Sequence, residues 1–355
     1  MKAFVVKAGS TSFDGLALVE KARPIAGPGE IVVAMRAAAL NFRDLLIPLG
    51  RYFGGPITQD LVALSDGAGE VVEIGSKVDR FKIGDRVAGT FFRNYVDGPA
   101  APVEHQALGA PLDGILAEYV AFNQEDAVHI PANLSFAEAA TLPCAGVTAW
   151  NALMVCGRPI KAGDTVLVLG TGGVSLHALL LARAAGARVI VTSSNEQKLV
   201  KAKLLGAAAT INYKTNPLWH EEVMKLTNGA GADCVVEVGG AGTLKSSMLS
   251  LAYAGKIAMI GVLSGFTGDT SPHPVMLKGG NLHGIFVGNR AMFEQLNRAI
   301  EANDIHPVID RVFDFSDTVQ AFEYLQSQAH FGKVVINIPE KLLKSLFQSQ
   351  QLSSC

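Results

Sequence analysis

Between residues 164 and 263 two kinds of segment alternate, and that alternation limits the fold more than any other feature of the chain. "DTVLVLG", "RVIVTSS", "ATINY", "ADCVVEVGG" and "KIAMIGVL" are short runs rich in β-branched residues. Between them, "GVSLHALLLARAAG", "EQKLVKAKLLG", "PLWHEEVMKLTNG" and "TLKSSMLSLAYAG" carry helical spacing. Strand and helix in turn, joined by short loops, predict a parallel sheet wrapped by helices on both faces. "NLHGIFVGN" extends the series by a further strand. The uncharged 18-residue window from Thr165 to Ala182 lies inside this series. With Gly170, Gly172 and Gly173 in mid-run and His177 beyond, it reads as strand, turn and helix and not as a membrane span.

The flanks differ. Residues 1–125 read as short strands between turns ("GEIVVAMRAAAL", "GAGEVVEIG", "GDRVAGT"), an antiparallel β-rich pattern. "SFAEAATLPCAGVTAWNALMVC" opens on a capping box formed by Ser135 and Glu138. After residue 290 come an amphipathic helix, a second helix and a closing strand, "FGKVVINI"; the polar, helix-prone tail "EKLLKSLFQSQQLSSC" has no assigned function. A chain of 355 residues is long for one core, so two domains are expected: 126–289, and a second built from 1–125 with 290–355.

Apolar residues at 49% against 17% charged describe a well-buried globular chain. A net charge of −2 without a dense Lys/Arg block argues against nucleic acid as the main partner. The apolar run near the amino terminus is too short for a signal-peptide core. Cys144, Cys156, Cys234 and Cys355 form no Cys-x-x-Cys pair, which fits reduced thiols in the cytoplasm better than a disulfide framework.

The turn "GTGGVS" names the ligand class. Gly170 makes a tight bend; Gly172, followed by Gly173 and Val174, lets main-chain N–H groups approach a pyrophosphate, and the next helix directs its positive end at that charge. Ser175 replaces a third glycine and is expected to loosen helix–strand packing slightly. A lone G-x-G is weak, but here it follows a strand, opens a helix and starts a series of βα units. The second strand ends on Thr192, Ser193 and Ser194, with Lys198 a short turn later. A carboxylate at that end would bind a ribose 2′-OH and repel a 2′-phosphate; hydroxyls and an ammonium favour the phosphate. The reading is therefore NADPH over NADH, with Glu196 turned to solvent.

These segments in this order resemble the medium-chain dehydrogenase/reductase superfamily. The resemblance runs through "GPGEIVVAMRAAALNFRDLL", "DGAGEVVEIGSKVDRFKIGDRV", "EAATLPCAGVTAW", the glycine turn and "FGKVVINI". It implies an α/β architecture: a Rossmann-type doubly wound parallel sheet inserted into a β-rich GroES-like domain, with the active site in the cleft between them. It also implies cofactor contacts from Asn41, Thr148, Thr171, Tyr213, Gly239, Gly261, Val262, Phe286 and Val287, and from Lys333 near the 2′-phosphate.

Many members of the superfamily hold a catalytic zinc through a Cys, a His and a second Cys. Those positions match Asn41, Ser65 with Asp66, and Cys144, and one thiol does not make a site that needs three protein ligands. His105 with Asp66 is the remaining pair able to rebuild a metal site; His129 and His220 show no ligand spacing. No metal is expected, and the resemblance points to the zinc-independent, quinone-oxidoreductase side of the superfamily. Without a Lewis acid, the acceptors that suffer least are those that take incoming electrons into their own conjugation. The expected reaction is hydride transfer from NADPH to a quinone or an α,β-unsaturated carbonyl, with Asn41, Arg43 and Tyr52 as candidate catalytic donors. Arg43 equally fits an ion pair with Asp44 or Asp66.

A zinc-free alcohol or aldehyde dehydrogenase, and a nucleotide-binding regulatory protein with little turnover, remain open alternatives. The partners expected are a small-molecule substrate and a second copy of the chain, paired through residues 281–288, with neither nucleic acid nor membrane. Residues 91–114 and 276–287 are expected to shape the substrate pocket.

Overall fold

The computed structural model describes residues 1–52, 54–99, 106–265, 267–268 and 271–340. In chain order the first elements are β1 (Lys2–Val6), β2 (Leu16–Glu20), β3 (Glu30–Ala39), α1 (Phe42–Leu46), β4 (Leu61–Val62), β5 (Asp66–Ile74), β6 (Arg86–Gly89), β7 (Tyr119–Asn123), β8 (Ala127–His129) and α2 (Phe136–Ala139). Then follow α3 (Val147–Trp150), β9 (Thr165–Leu169), α4 (Gly173–Ala184), β10 (Arg188–Ser193), α5 (Glu196–Leu204), β11 (Ala209–Asn212), α6 (Trp219–Leu226), β12 (Ala232–Glu237), α7 (Ala241–Leu249), β13 (Leu251–Met259), α8 (His273–Leu277) and β14 (Asn281–Gly284). The chain closes with α9 (Arg290–Asn303), β15 (Ile309–Asp314), α10 (Thr318–Gln326) and β16 (Lys333–Asn337).

The described residues form two compact units: Met1–Cys144 with the chain from Asn289 to Glu340, and Ala145–Gly288. The boundary therefore falls at Cys144, not near residue 126. The cause is local: β8 pairs antiparallel with β6, and α2 packs on β3 and β5, so this stretch completes the first unit.

The first unit is β-rich, as expected. It holds a three-stranded sheet in the order β2-β1-β4 and a seven-stranded sheet in the order β15-β16-β3-β5-β6-β8, with β7 also on β3. Its core is a continuous apolar cluster that includes Phe4, Met35, Leu64, Ile115, Phe122, Phe322 and Val334. β16, from the far end of the chain, pairs antiparallel with β3 at Val335–Ala39, Ile336–Ala38 and Asn337–Ala37.

The second unit is a six-stranded sheet in the order β11-β10-β9-β12-β13-β14, with every neighbouring pair parallel. β9 and β12 are sheet neighbours although β10 and β11 intervene in sequence, so the strand order reverses between them. Open α/β sheets bind ligands beyond the carboxyl ends of their strands at such a switch point. Val166, Leu167 and Val168 of β9 are fully buried, because a parallel strand is covered on both faces. The uncharged window at 165–182 is β9, the glycine turn and most of α4, and no helix among the described residues is long and apolar enough to cross a membrane.

Some boundaries move. α7 stops at Leu249, and "LAYAG" belongs to β13, where Ala254 takes a positive φ of 56°. β14 stops at Gly284, short of the run to residue 289. The segment after Ser135 keeps its capping box but is broken: α2 is followed by π-helical turns at Leu142–Gly146 and Asn151–Val155 on either side of α3.

Candidate functional site

In the second unit the glycine turn has the form of a phosphate cradle. Gly170 sits at φ +73°, a conformation that side chains rarely adopt. At Gly172 a Cβ would meet nothing within 4 Å, so open space lies in front of the backbone there. Gly172 is the N-cap of the twelve-residue helix α4, no side chain caps it, and no acidic residue occupies its first turn. The first-turn N–H groups lack intrahelical partners and carry the positive end of the helix dipole. Gly170, Thr171, Gly172, Gly173 and Val174 thus fit a pyrophosphate. Ser175 does not loosen the packing: it is buried, and its Oγ donates back to Leu169 O at 2.7 Å.

The register places the second strand end beside this turn. Thr192 lies opposite Leu169, and Gly170 N donates to Thr192 Oγ1 at 3.4 Å. Ser193 Oγ accepts from Asn195 N at 3.3 Å, and Tyr213 N donates to Ser193 O at 3.1 Å, which brings Tyr213 to the same edge. Asn195 caps α5 by accepting from Lys198 N at 3.1 Å, so Lys198 lies in the first turn behind Ser194. The Glu196 carboxylate is not simply solvated, because it accepts from Asn212 Nδ2 on β11.

Across the switch point, Glu237 ends β12 and is fully buried. Its Oε1 accepts from Gly239 N (2.7 Å), Gly240 N (3.0 Å) and Thr243 Oγ1 (2.6 Å), and its Oε2 accepts from Ser247 Oγ. One carboxylate therefore ties the loop carrying Gly239 to the first turns of α7. Gly261 packs so closely that a Cβ would lie 2.2 Å from Val238 O, and Leu263 N beyond Val262 donates to the same carbonyl. Thr148 is buried in α3. Phe286 is 42% exposed, and Val287 takes a positive φ of 53° with its carbonyl accepting from Asn151 Nδ2 at 2.7 Å. Glu237 and Asn151 were not legible as site residues; their roles come from partners that the strand and helix patterns do not encode.

In the first unit a buried network forms around α1. Lys333 is 3% exposed, and its ammonium donates to Asn41 Oδ1 at 2.6 Å and Leu40 O at 2.7 Å. This replaces the expectation of a 2′-phosphate contact, since the cation is buried against two oxygens of its own unit. An ammonium only donates, so it fixes the amide of Asn41 with Oδ1 toward Lys333. Asn41 Nδ2 is then left buried without an acceptor among the described residues.

Arg43 is also committed. Its Nε donates to Tyr52 Oη at 3.2 Å, and its terminal nitrogens donate to Leu108 O (2.8 Å) and Ala110 O (2.9 Å). The guanidinium lies 4.6 Å from the Tyr52 ring centroid and 4.9 Å from that of Phe91, and 3.8 Å from Asp44 Oδ1. Of its two readings the ion pair with Asp44 is the one formed, and Arg43 braces Tyr52 against the 108–110 turn.

Asp44 accepts from Asn41 N at 2.7 Å through Oδ2, while its Oδ1 has no hydrogen bond among the described residues. Burial, offset in part by Arg43, pushes its carboxyl up to about 6. Asp66 accepts from Ser65 Oγ (2.7 Å) and Cys144 N (2.9 Å). Burial, reinforced by Asp66, pushes the Cys144 thiol far above its ordinary range, so it stands as a neutral buried thiol. With an ammonium on Asn41 and a hydroxyl and an amide on Asp66, the donor set does not fit a tetrahedral zinc. Among the described residues no three His, Cys, Asp or Glu side chains converge on a point that could hold a metal ion; His105 lies outside the described residues.

The chain matches two family profiles, the alcohol dehydrogenase GroES-like domain over residues 27–132 and the zinc-binding dehydrogenase profile over residues 173–302. It is 48% identical to a zinc-type alcohol dehydrogenase-like protein of Schizosaccharomyces pombe, across 88% of this chain and 91% of the relative. It is 32% identical to the 2-methylene-furan-3-one reductase of Solanum lycopersicum, across 87% of this chain and 71% of that one. Among solved structures, an NAD-dependent alcohol dehydrogenase is similar at 32% identity and a TM-score of 0.86, covering 96% of this chain and 100% of its own. A mycobacterial protein solved with NADPH is similar at 25% identity and a TM-score of 0.78, covering 95% and 100%. Sequence, sheet order and the two profiles agree, and the chain belongs to the medium-chain dehydrogenase/reductase superfamily as one of its oxidoreductases.

Proposed function

We propose that the protein is a zinc-independent, NADPH-dependent reductase of conjugated acceptors, quinones or α,β-unsaturated carbonyls. The observation that carries this reading is the Lys333 ammonium on Asn41 Oδ1, which puts an internal cation where metal-using relatives need a ligand. When bound, NADPH supplies the hydride. The chain supplies a cradle for the pyrophosphate at Gly170–Val174 and hydroxyls at Thr192, Ser193 and Ser194 for the 2′-phosphate. Asn41 Nδ2, buried and lacking an acceptor, serves as a donor for the acceptor oxygen as negative charge gathers there. Tyr52, held by Arg43, is a second candidate donor.

The named substrate of the tomato relative is itself a ketone conjugated to a methylene, which supports the acceptor class. A second reading is a zinc-free alcohol or aldehyde dehydrogenase; the yeast relative's name, a zinc-type alcohol dehydrogenase-like protein, supports its alcohol substrate and not its zinc independence. The two separate on mixing. Loss of NADPH absorbance with benzoquinone and small enones is the expected result; signal only from NADP⁺ with alcohols would establish the second reading instead.

We also propose a homodimer through 281–288. β14 is the edge strand of the sheet and carries Leu282, 44% exposed; an unpaired apolar edge invites a further strand. Leu282→Lys is expected to yield a monomer by light scattering. Free thiols at Cys144, Cys156 and Cys234 support a cytoplasmic setting.

A further inference from the structure

Val287 is the one β-branched residue among the described residues with a positive φ outside glycine; the others are Leu64, Lys77, Asn94, Asn228, Ala254, Asp304 and Gln328. Two substituents on Cβ make this conformation strained for valine, at a cost the surroundings must hold in place. One side chain that does so is Asn151, whose Nδ2 donates to Val287 O at 2.7 Å, across 136 residues of chain. Asn151 opens the π-helical turn Asn151–Val155, and its backbone N–H donates to the carbonyls of Thr148 and Val147. Its neighbour Ala152 packs with Ala258 and Ile285, which seats the π turn against the segment that leads into Val287. π turns within helices are frequent at functional sites, and backbone strain that persists points the same way.

We propose that Asn151 is a positioning residue for the nicotinamide end of the cofactor: by holding the Val287 carbonyl it keeps the backbone at Val287 left-handed, and so aims the Phe286–Gly288 segment. The proposal rests on the reading that Phe286 and Val287 wall the nicotinamide. Asn151 touches neither substrate nor cofactor in this scheme. It acts through Val287, and a glycine at 287 would make it dispensable, because glycine takes positive φ without strain.

The test is binding, read by fluorescence titration of the full chain with NADPH and, in parallel, with 2′-phospho-ADP-ribose, which lacks the nicotinamide. Asn151→Ala is expected to weaken NADPH about tenfold, the scale of one lost hydrogen bond plus released strain. The nicotinamide-free fragment is expected to bind within about twofold of wild type, since its contacts lie at the glycine turn and the β10 end. Asn151→Asp, isosteric and unable to donate when ionised, is expected to repeat the loss if the alanine variant folds poorly. The double variant Asn151→Ala with Val287→Gly is expected to regain most of the NADPH affinity. Equal weakening of both ligands, no weakening by either variant, or no recovery in the double variant would each overturn the proposal. Failure of the underlying reading looks different: a wild-type protein that binds the fragment as tightly as NADPH has no nicotinamide contact to position, and the proposal falls with it.

Discussion

Lys333 Nζ lies 2.6 Å from Asn41 Oδ1, joining β16 to the N-cap of α1 across 292 residues of chain. Removing the ammonium frees the amide to rotate and leaves Leu40 O without its donor. Lys333→Met is expected to lower kcat for a conjugated acceptor by about 10- to 100-fold, the scale of one charged hydrogen bond, with KM for NADPH little changed. Lys333→Arg should recover part of the loss. Steady-state kinetics of the three proteins check this, and an unchanged kcat in the methionine variant would remove Lys333 from the mechanism.

Asp44 makes stability depend on pH. Its carboxyl is raised from 3.8 to about 6 in the folded chain, chiefly by burial. A raised folded value means a contribution fully present below pH 4 and lost as pH rises through 6. Wild type should therefore lose up to about 3 kcal/mol of stability across that window from this group. Asp44→Asn should flatten that part of the profile. Urea unfolding at a series of pH values compares the two slopes, and parallel curves would contradict the assignment.

Ser193 tests the cofactor preference. A carboxylate at this strand end repels a 2′-phosphate and accepts from a 2′-OH. Ser193→Asp should weaken NADPH by about 100-fold or more while leaving NADH within a few fold, an estimate on the scale of a like-charge contact at close range. Paired titrations with the two cofactors measure the ratio, and equal losses would show that this strand end does not read the phosphate.

Glu237 holds four hydrogen-bond donors inside the second unit. Glu237→Gln places an amide that donates where only acceptance fits, so stability should fall by about 2 to 3 kcal/mol. Chemical denaturation reads the loss. Cofactor affinity should fall with it, because the Gly239 loop is what Glu237 ties down.

The sheet of the second unit was legible because each strand is a buried apolar run and each helix a periodic one. The glycine turn was legible because few residues besides glycine suit its backbone. What escaped was pairing at long range. Nothing near Lys333 announces Asn41, nothing near Asn151 announces Val287, and Glu237 lies in a strand whose pattern reads only as apolar. The break of the 135–156 segment into π turns escaped for another reason: Pro143 and Gly146 mark a weak point in the first turn, but tertiary packing, not propensity, sets where an extra residue enters a turn. The ion pair of Arg43 with Asp44 was legible, but its bonds to Leu108 O and Ala110 O were not, because no side-chain pattern displays backbone carbonyls.

The pairing of β16 with β3 has a consequence for synthesis on the ribosome. Ala37, Ala38 and Ala39 pair with β5 on one side, and their other edge is covered only once Val335, Ile336 and Asn337 have emerged. The amino-terminal strands must wait with an open sheet edge while the whole nucleotide-binding unit is made, and that unit is complete in sequence by Gly288. Domains fold as units during translation, and exposed edges recruit unwanted strands. The nascent protein thus has a middle that can mature first and an early sheet edge that stays open until β16 has emerged.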